Sequence, residues 1–237
     1  MRYIQLFCVF LLLLFPLSYG KVGALAMNTG FSTELLSENE IDLFLKNVNI
    51  SMLSDEPQKK TIECFDVNEN GVIAIGCSNF DNKTVCIYSS DGDFQYGYSF
   101  ECNGGFGVEL YDDILMIYFV RSDVAISVNP MGDVKSILKI QNTSGNNSYW
   151  NNSVFSTKRE IGDNTYVAKN DMGLFNVFAS SYSQLIITNI NGEERVVYDV
   201  GSIQFSNMIV AFICVFIFIF IAVTLVIRQF IKLKRGT

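Results

Sequence analysis

Hydrophobic and polar positions alternate along this 237-residue chain in three different ways. Two runs are apolar on every side: MRYIQLFCVFLLLLFPLSYGKVGALA at the N-terminus, and MIVAFICVFIFIFIAVTLVI at 208–227. Near 38–48, Ile41, Phe44, Leu45 and Val48 recur at helical spacing, behind Ser37 and Glu40, which form a capping box. From residue 61 to about 200 the pattern becomes short β runs, broken by Gly, Asn and Asp. Twelve strands are predicted there: 62–67, 72–77, 84–89, 94–100, 105–110, 114–120, 124–128, 134–140, 165–168, 174–179, 184–188 and 195–200. Several are apolar on both faces, as strands packed between layers are.

The two apolar runs set the topology. The first has Arg2 as a minimal charged region, an apolar stretch over 3–17, and small-x-small sites that predict cleavage after residue 20 or 26. An uncleaved signal anchor is the alternative. The second holds 20 uncharged residues, about 30 Å of helix, which is the thickness of the hydrocarbon layer. Arg228, Lys232, Lys234 and Arg235 follow with no acidic residue, a stop-transfer signal with a positive-inside flank. The expected layout is a signal peptide over 1–26, a lead-in over 27–60 and a β-repeat domain over 61–206. A transmembrane helix over 207–227 and a cytoplasmic tail over 228–237 complete it. The expected location is the plasma membrane, crossed once, with the bulk of the chain outside the cell.

The β region repeats. TVCIYSSDGDFQYGYSF, DVAISVNPMGDVKSILKI and SQLIITNINGEERVVYDV align on Gly92, Gly132 and Gly192. Ser89, Asn129 and Asn189 stand three residues before the glycine, and Asp93, Asp133 and Glu193 one after it. An upstream hairpin around Gly71, Asp113 and Gly173 precedes each, giving four strands per unit. The pitch is 40 residues and then 60, and the excess falls at NTSGNNSYWNNSVFSTKREI. Four antiparallel strands per ~40–50 residues is the period of a β-propeller blade, so the expected fold is mainly β, with about three propeller-like units. Three units fall short of the usual ring. The expectations are an open arc, irregular strands from the insertion and lead-in, or closure by a second copy of the chain in a homodimer.

ECFDVNENGVIAIGCSN, CIYSSDGDFQYGYSFECNGGFGVELYDDILMIYFVRSDVAISV and the closing repeat resemble blades of NHL- and YVTN-type propellers. They are also similar to membrane-anchored proteins of low-GC Gram-positive bacteria. The resemblance covers about 61–200. It implies a binding or scaffolding domain and transfers no functional residue.

Charge and residue type narrow the chemistry. All 24 acidic residues lie over 34–199, together with 11 Lys and Arg, a balance of 11 − 24 = −13 that disfavours nucleic acid. No histidine occurs, which removes Ser-His-Asp and Cys-His catalysis and His-based metal centres. A carboxylate-dependent glycan hydrolase remains as an alternative, with Glu109, Asp112 and Asp113 as its acidic cluster, although Asp112 and Asp113 read as turn formers. NGGFG at 103–107 lacks the Lys and helix of a phosphate loop, and no cofactor is expected.

Asp66, Asn68 and Asn70 reproduce half of a calcium loop and are candidate metal ligands. The twelfth position, Cys77, replaces the required Glu, so a hairpin turn is the better account. Tyr149 and Trp150 in the Asn/Ser-rich insertion are candidate contacts for a protein or glycan partner, as is Arg121, placed to reach a carboxylate or to pair with Asp123. Trp150 plugging the edge of the core is the other reading. Cys64, Cys77, Cys86 and Cys102 are either buried thiols or two disulfides of undetermined pairing. Asn49, Asn82, Asn142, Asn146 and Asn151 each open an N-x-S/T sequon. The functional expectation is a membrane-tethered binding domain, with the hydrolase or a structural subunit of a membrane complex as alternatives.

Overall fold

The computed structural model describes residue 27, residues 29–79 and residues 81–235; the N-terminal apolar run, with the expected signal peptide, lies outside the described residues. The chain is mainly β. In order it forms β1 (Thr33–Leu35), α1 (Glu38–Val48), β2 (Ser51–Leu53), β3 (Ile62–Val67), β4 (Ile73–Asn79), β5 (Asn82–Tyr88) and β6 (Phe94–Glu101). Next come β7 (Phe106–Tyr111), β8 (Ile114–Phe119), β9 (Val124–Val128), β10 (Val134–Ile140), α2 (Ser144–Tyr149) and a π-helix (Trp150–Val154). The chain closes with β11 (Lys158–Ile161), β12 (Asn164–Lys169), a 3-10 helix (Gly173–Phe178), β13 (Gln184–Thr188), β14 (Glu194–Asp199) and α3 (Gly201–Arg235).

These strands make three separate antiparallel sheets, ordered β2-β6-β5-β4-β3, β1-β10-β9-β8-β7 and β11-β12-β13-β14. Each holds one four-strand unit: β3–β6, β7–β10 and β11–β14. The lead-in is built into the first two, where β2 and β1 each add a fifth strand at the edge.

Turn chemistry explains the regularity. In unit one, the Ser89 hydroxyl accepts the N–H groups of Asp91 and Asp93, and the Gly92 N–H reaches the Ser89 carbonyl at 3.0 Å. Asn129 and Asn189 do the same for the turns closed by Gly132 and Gly192. The three glycines have φ of 91°, 85° and 80°, a region in which a Cβ is strained. Asn68 builds a fourth copy: its side chain accepts from Asn70 and Val72, and Gly71 N–H reaches its carbonyl.

Two expectations are corrected in unit three. Gly173 is no hairpin turn; the first hairpin of that unit turns at Gly162 and Asp163, between β11 and β12. The expected strand at 174–179 is the 3-10 helix instead. The position beside β12 is already taken on both sides, by β11 and β13. The Asn176 side-chain Oδ1 accepts the Met172 N–H at 2.9 Å, which curls the segment back on itself.

The sheets stack with unit one in the middle. One core cluster joins unit one to unit two through Val85, Ile87, Tyr98 and Phe100 against Phe106, Val108, Leu115 and Ile117. Phe44 of α1 closes its edge, 5.0 Å from the Phe119 ring. The second cluster joins the other face of unit one to unit three, with Ile62, Phe65, Ile73 and Ile75 against Tyr166, Leu185 and Tyr198. The far face of unit two is covered by the insertion and the lead-in, through Phe31, Tyr149, Trp150 and Val154.

The capping box is present, with the Ser37 N–H donating to Glu40 Oε2 at 2.9 Å. α3 follows β14 with Val200 alone between them. Its stretch Gly201–Arg228 is long and apolar enough to cross a membrane, and its most apolar 18 residues have a mean hydropathy of 3.3.

Candidate functional site

The first strands of the three units, β3, β7 and β11, meet along one seam, and each brings a charged residue to it. β11 is short and places Arg159 on the face shared with Tyr166, toward unit one. Its Nε donates to Asp66 Oδ1 at 2.6 Å, and the guanidinium lies 5.3 Å from the centre of the Phe65 ring. The remaining Arg159 donors reach the carbonyls of Phe65, Val154, Ser156 and Lys158 at 3.0–3.4 Å. Asp66 Oδ2 accepts the Leu110 N–H of β7 at 2.8 Å. Burial pushes the Asp66 pKa up, while Arg159 and the Leu110 amide pull it back.

Glu109 of β7 shares a face with Met116 and Tyr118, directed at the insertion. It is buried and accepts three phenolic hydroxyls: Tyr118 at 2.5 Å, Tyr111 at 3.3 Å and Tyr149. Tyr118 in turn contacts Thr29 Oγ1 at 2.9 Å. Burial pushes the Glu109 pKa up; the Tyr118 and Tyr149 hydroxyls oppose it and the neighbouring Asp66 adds to it.

Above this seam lies an open groove of about 420 Å³, lined by Glu109, Asn152, Ser153, Ser156, Lys158, Arg159 and Glu160. One wall is the π-helix, a local geometry that is frequent at functional sites. The other is the outer face of unit three, where Lys158 and Glu160 pair at 2.5 Å.

The structure thus brings two of the sequence candidates, Tyr149 and Asp66, around one buried carboxylate. Asp66 and Asn68 are occupied otherwise than as metal ligands, and Asn70 enters through its backbone N–H, which donates to Asn68 Oδ1. Asp66 holds Arg159, the Asn68 oxygen shapes its turn, and its Nδ2 donates to the Asp112 carbonyl at 2.5 Å. Among the described residues, no group of three His, Cys, Asp or Glu side chains could hold a metal ion. Trp150 plugs the edge of the core, between Phe31, Tyr118 and a stacked Phe155.

Arg121 lies apart, on a separate cleft of about 460 Å³ shared with Asp81, Glu101 and Phe44. No ion pair joins it to Asp123 among the described residues; the left-handed φ of 52° at Asp123 belongs to the turn. Cys64, Cys77, Cys86 and Cys102 are buried free thiols in this structure. Burial raises all four pKa values, that of Cys77 to about 11 and that of Cys86 to about 12.

The sequence does not single out Arg159, whose carboxylate partner is 93 residues away, and it offers Glu109 only as a member of an acidic cluster with Asp112 and Asp113. The available signal was alternation: in VELY, Glu109 stands on the face opposite Val108 and Leu110, inside a strand.

No family model and no curated protein sequence matches the chain. One similar solved structure is the Saccharomyces cerevisiae protein Sqt1, at 12% identity, over 62% of this chain and 34% of that one. The chain therefore spans about a third of that protein's length, and the TM-score of 0.26 carries no argument about fold or function.

Proposed function

We propose that this protein is a membrane-tethered binding module: an open, propeller-like arc of three blades, held outside the cell by α3, that takes a protein or glycan partner in the groove above Glu109. The observation that carries the reading is the groove itself, at the break in the arc. Unit one is covered on both faces by its neighbours, and unit two by the insertion. Unit three turns its outer face to solvent, and the groove runs between that face and the π-helix.

Its lining is amide, hydroxyl and paired charge, groups that hydrogen-bond polar partners. The charged pair beneath is consumed internally, so the floor acts as a rigid support and the rim makes the contacts. The single residue between β14 and α3 fixes the module to its anchor without a flexible linker.

Ser153→Trp fills the groove and tests the reading. Crosslinking in intact membranes is expected to lose its partner adduct in that variant and to keep it in Met131→Trp, placed on an exposed turn. Equal adduct yields in both refute the site.

A second reading rests on one observation. Glu109 is a carboxyl group with a raised pKa facing a groove, as the general acid of a glycan hydrolase is. It predicts that Glu109→Gln abolishes turnover of some polysaccharide, whereas the binding reading predicts that no turnover exists to abolish.

A further inference from the structure

We propose that the 3-10 segment Gly173–Phe178 is a second membrane contact, entering the outer edge of the bilayer beside α3; this rests on reading α3 as the membrane span. Phe175 lies 6.2 Å from the Phe205 ring and 6.5 Å from the Phe212 ring of α3, and Phe178 lies 5.5 Å from Phe212. The polar first turns of α3 end at Asn207, and the uncharged run begins at Met208. At ~1.5 Å per residue, Phe212 stands about 7 Å past Asn207, within the hydrocarbon edge, and Phe205 about 3 Å before it. A segment that touches both rings straddles that boundary. This is the depth, ~5–10 Å into the interface, that amphipathic surface segments reach.

The segment is built for that position. Phe175, Val177 and Phe178 are 42%, 81% and 63% exposed, a cluster that a soluble surface does not tolerate without a partner. Asn176, the only polar side chain among its last four residues, is tied back at both ends, accepting from Met172 N–H and donating to the Asn170 carbonyl. The stretch 172–192 contains no charged residue in a domain that is otherwise strongly acidic, so nothing on it repels anionic headgroups.

The loop is also fastened to the anchor. Asn170 Oδ1 accepts the Ser183 N–H at 2.8 Å, and the Gln204 side chain of α3 donates to the Ser181 carbonyl at 2.9 Å. With two contacts, the helix and the loop, unit three stands on the membrane at a fixed tilt.

Trp fluorescence in vesicles tests this. The full chain is reconstituted into phosphatidylcholine brominated either near the headgroup or deep in the acyl chains, as wild type, Val177→Trp and Phe220→Trp. Trp150, the only native Trp, sits in the insertion's aromatic cluster and supplies the unquenched baseline. The expected result is that Val177→Trp loses most of its added emission to shallow bromines, and Phe220→Trp to deep ones. Quenching of Phe220→Trp with none of Val177→Trp overturns the loop contact and leaves the span intact. Absence of quenching in both overturns the span, and the loop contact with it.

Discussion

Arg159 ties β11 to β3, and its removal has a calculable consequence. Arg159 and Asp66 side chains are each 14% exposed and 2.6 Å apart, so Arg159→Met leaves a carboxylate in a desolvated seam with only the backbone amides of Leu110 and Val67 to stabilise it. Breaking one side of such a pair costs about 3–5 kcal/mol. In a body of this size, each kcal/mol shifts Tm by about 2–4 °C, so the expected loss is about 6–20 °C. Asp66→Asn keeps one oxygen and puts an NH2 in place of the other, so it can accept from Arg159 or from the Leu110 amide but not from both, and it is expected to cost about 1.5–3 kcal/mol. The double variant removes the orphaned charge and is expected to cost less than the sum, with a coupling of about 1–3 kcal/mol. The assay is thermal unfolding of the full chain in detergent micelles, followed by near-ultraviolet circular dichroism. A shift under ~2 °C for Arg159→Met, or strict additivity in the cycle, refutes the seam as a load-carrying ion pair.

Three further outcomes follow from the same geometry. Glu109 has a folded pKa above its unfolded value, so its contribution to stability is full at low pH and is lost as pH rises through the folded value. Glu109→Gln is therefore expected to flatten the fall in Tm as pH rises above the ordinary carboxylate range, and an unchanged slope contradicts the buried carboxyl. At Gly107 an added Cβ would stand 2.1 Å from Val154 Cγ1, so Gly107→Ala must displace the π-helix; a cost of about 1–3 kcal/mol in a urea titration is expected, and a neutral result is the contrary outcome. Cys64, Cys77, Cys86 and Cys102 are expected to resist N-ethylmaleimide at pH 7.5 in the folded chain and all to label on unfolding without reductant, as counted by mass spectrometry. Fewer than four added labels on unfolding would reveal bridges.

Local signals in the sequence translated directly into structure. Ser37 and Glu40 cap α1 as their spacing implies, and Ser89, Asn129 and Asn189 build one turn three times because each feature depends on groups within four residues. The DVNENG stretch belongs to that class, since Asn68 spends its oxygen on its own backbone.

Features that depend on distant neighbours were not legible. Strand β11 reads Lys-Arg-Glu-Ile, with no apolar alternation, because one face meets solvent and Arg159 on the other meets Asp66. The segment at 174–179 has strand-like composition, yet its aromatic side chains face a helix. Glu109 shows its role only once Tyr149, 40 residues later, is folded against it.

The groove between the π-helix and unit three is where a partner is expected, and a photo-reactive amino acid at Asn152 tests it most directly. The full chain carrying that residue is irradiated in intact membranes beside a twin carrying it at Met131, which is 80% exposed on an unrelated turn. The account predicts a discrete adduct, protein or glycan, from position 152 and none from 131. Adducts from 131 alone, or from neither position, would contradict it.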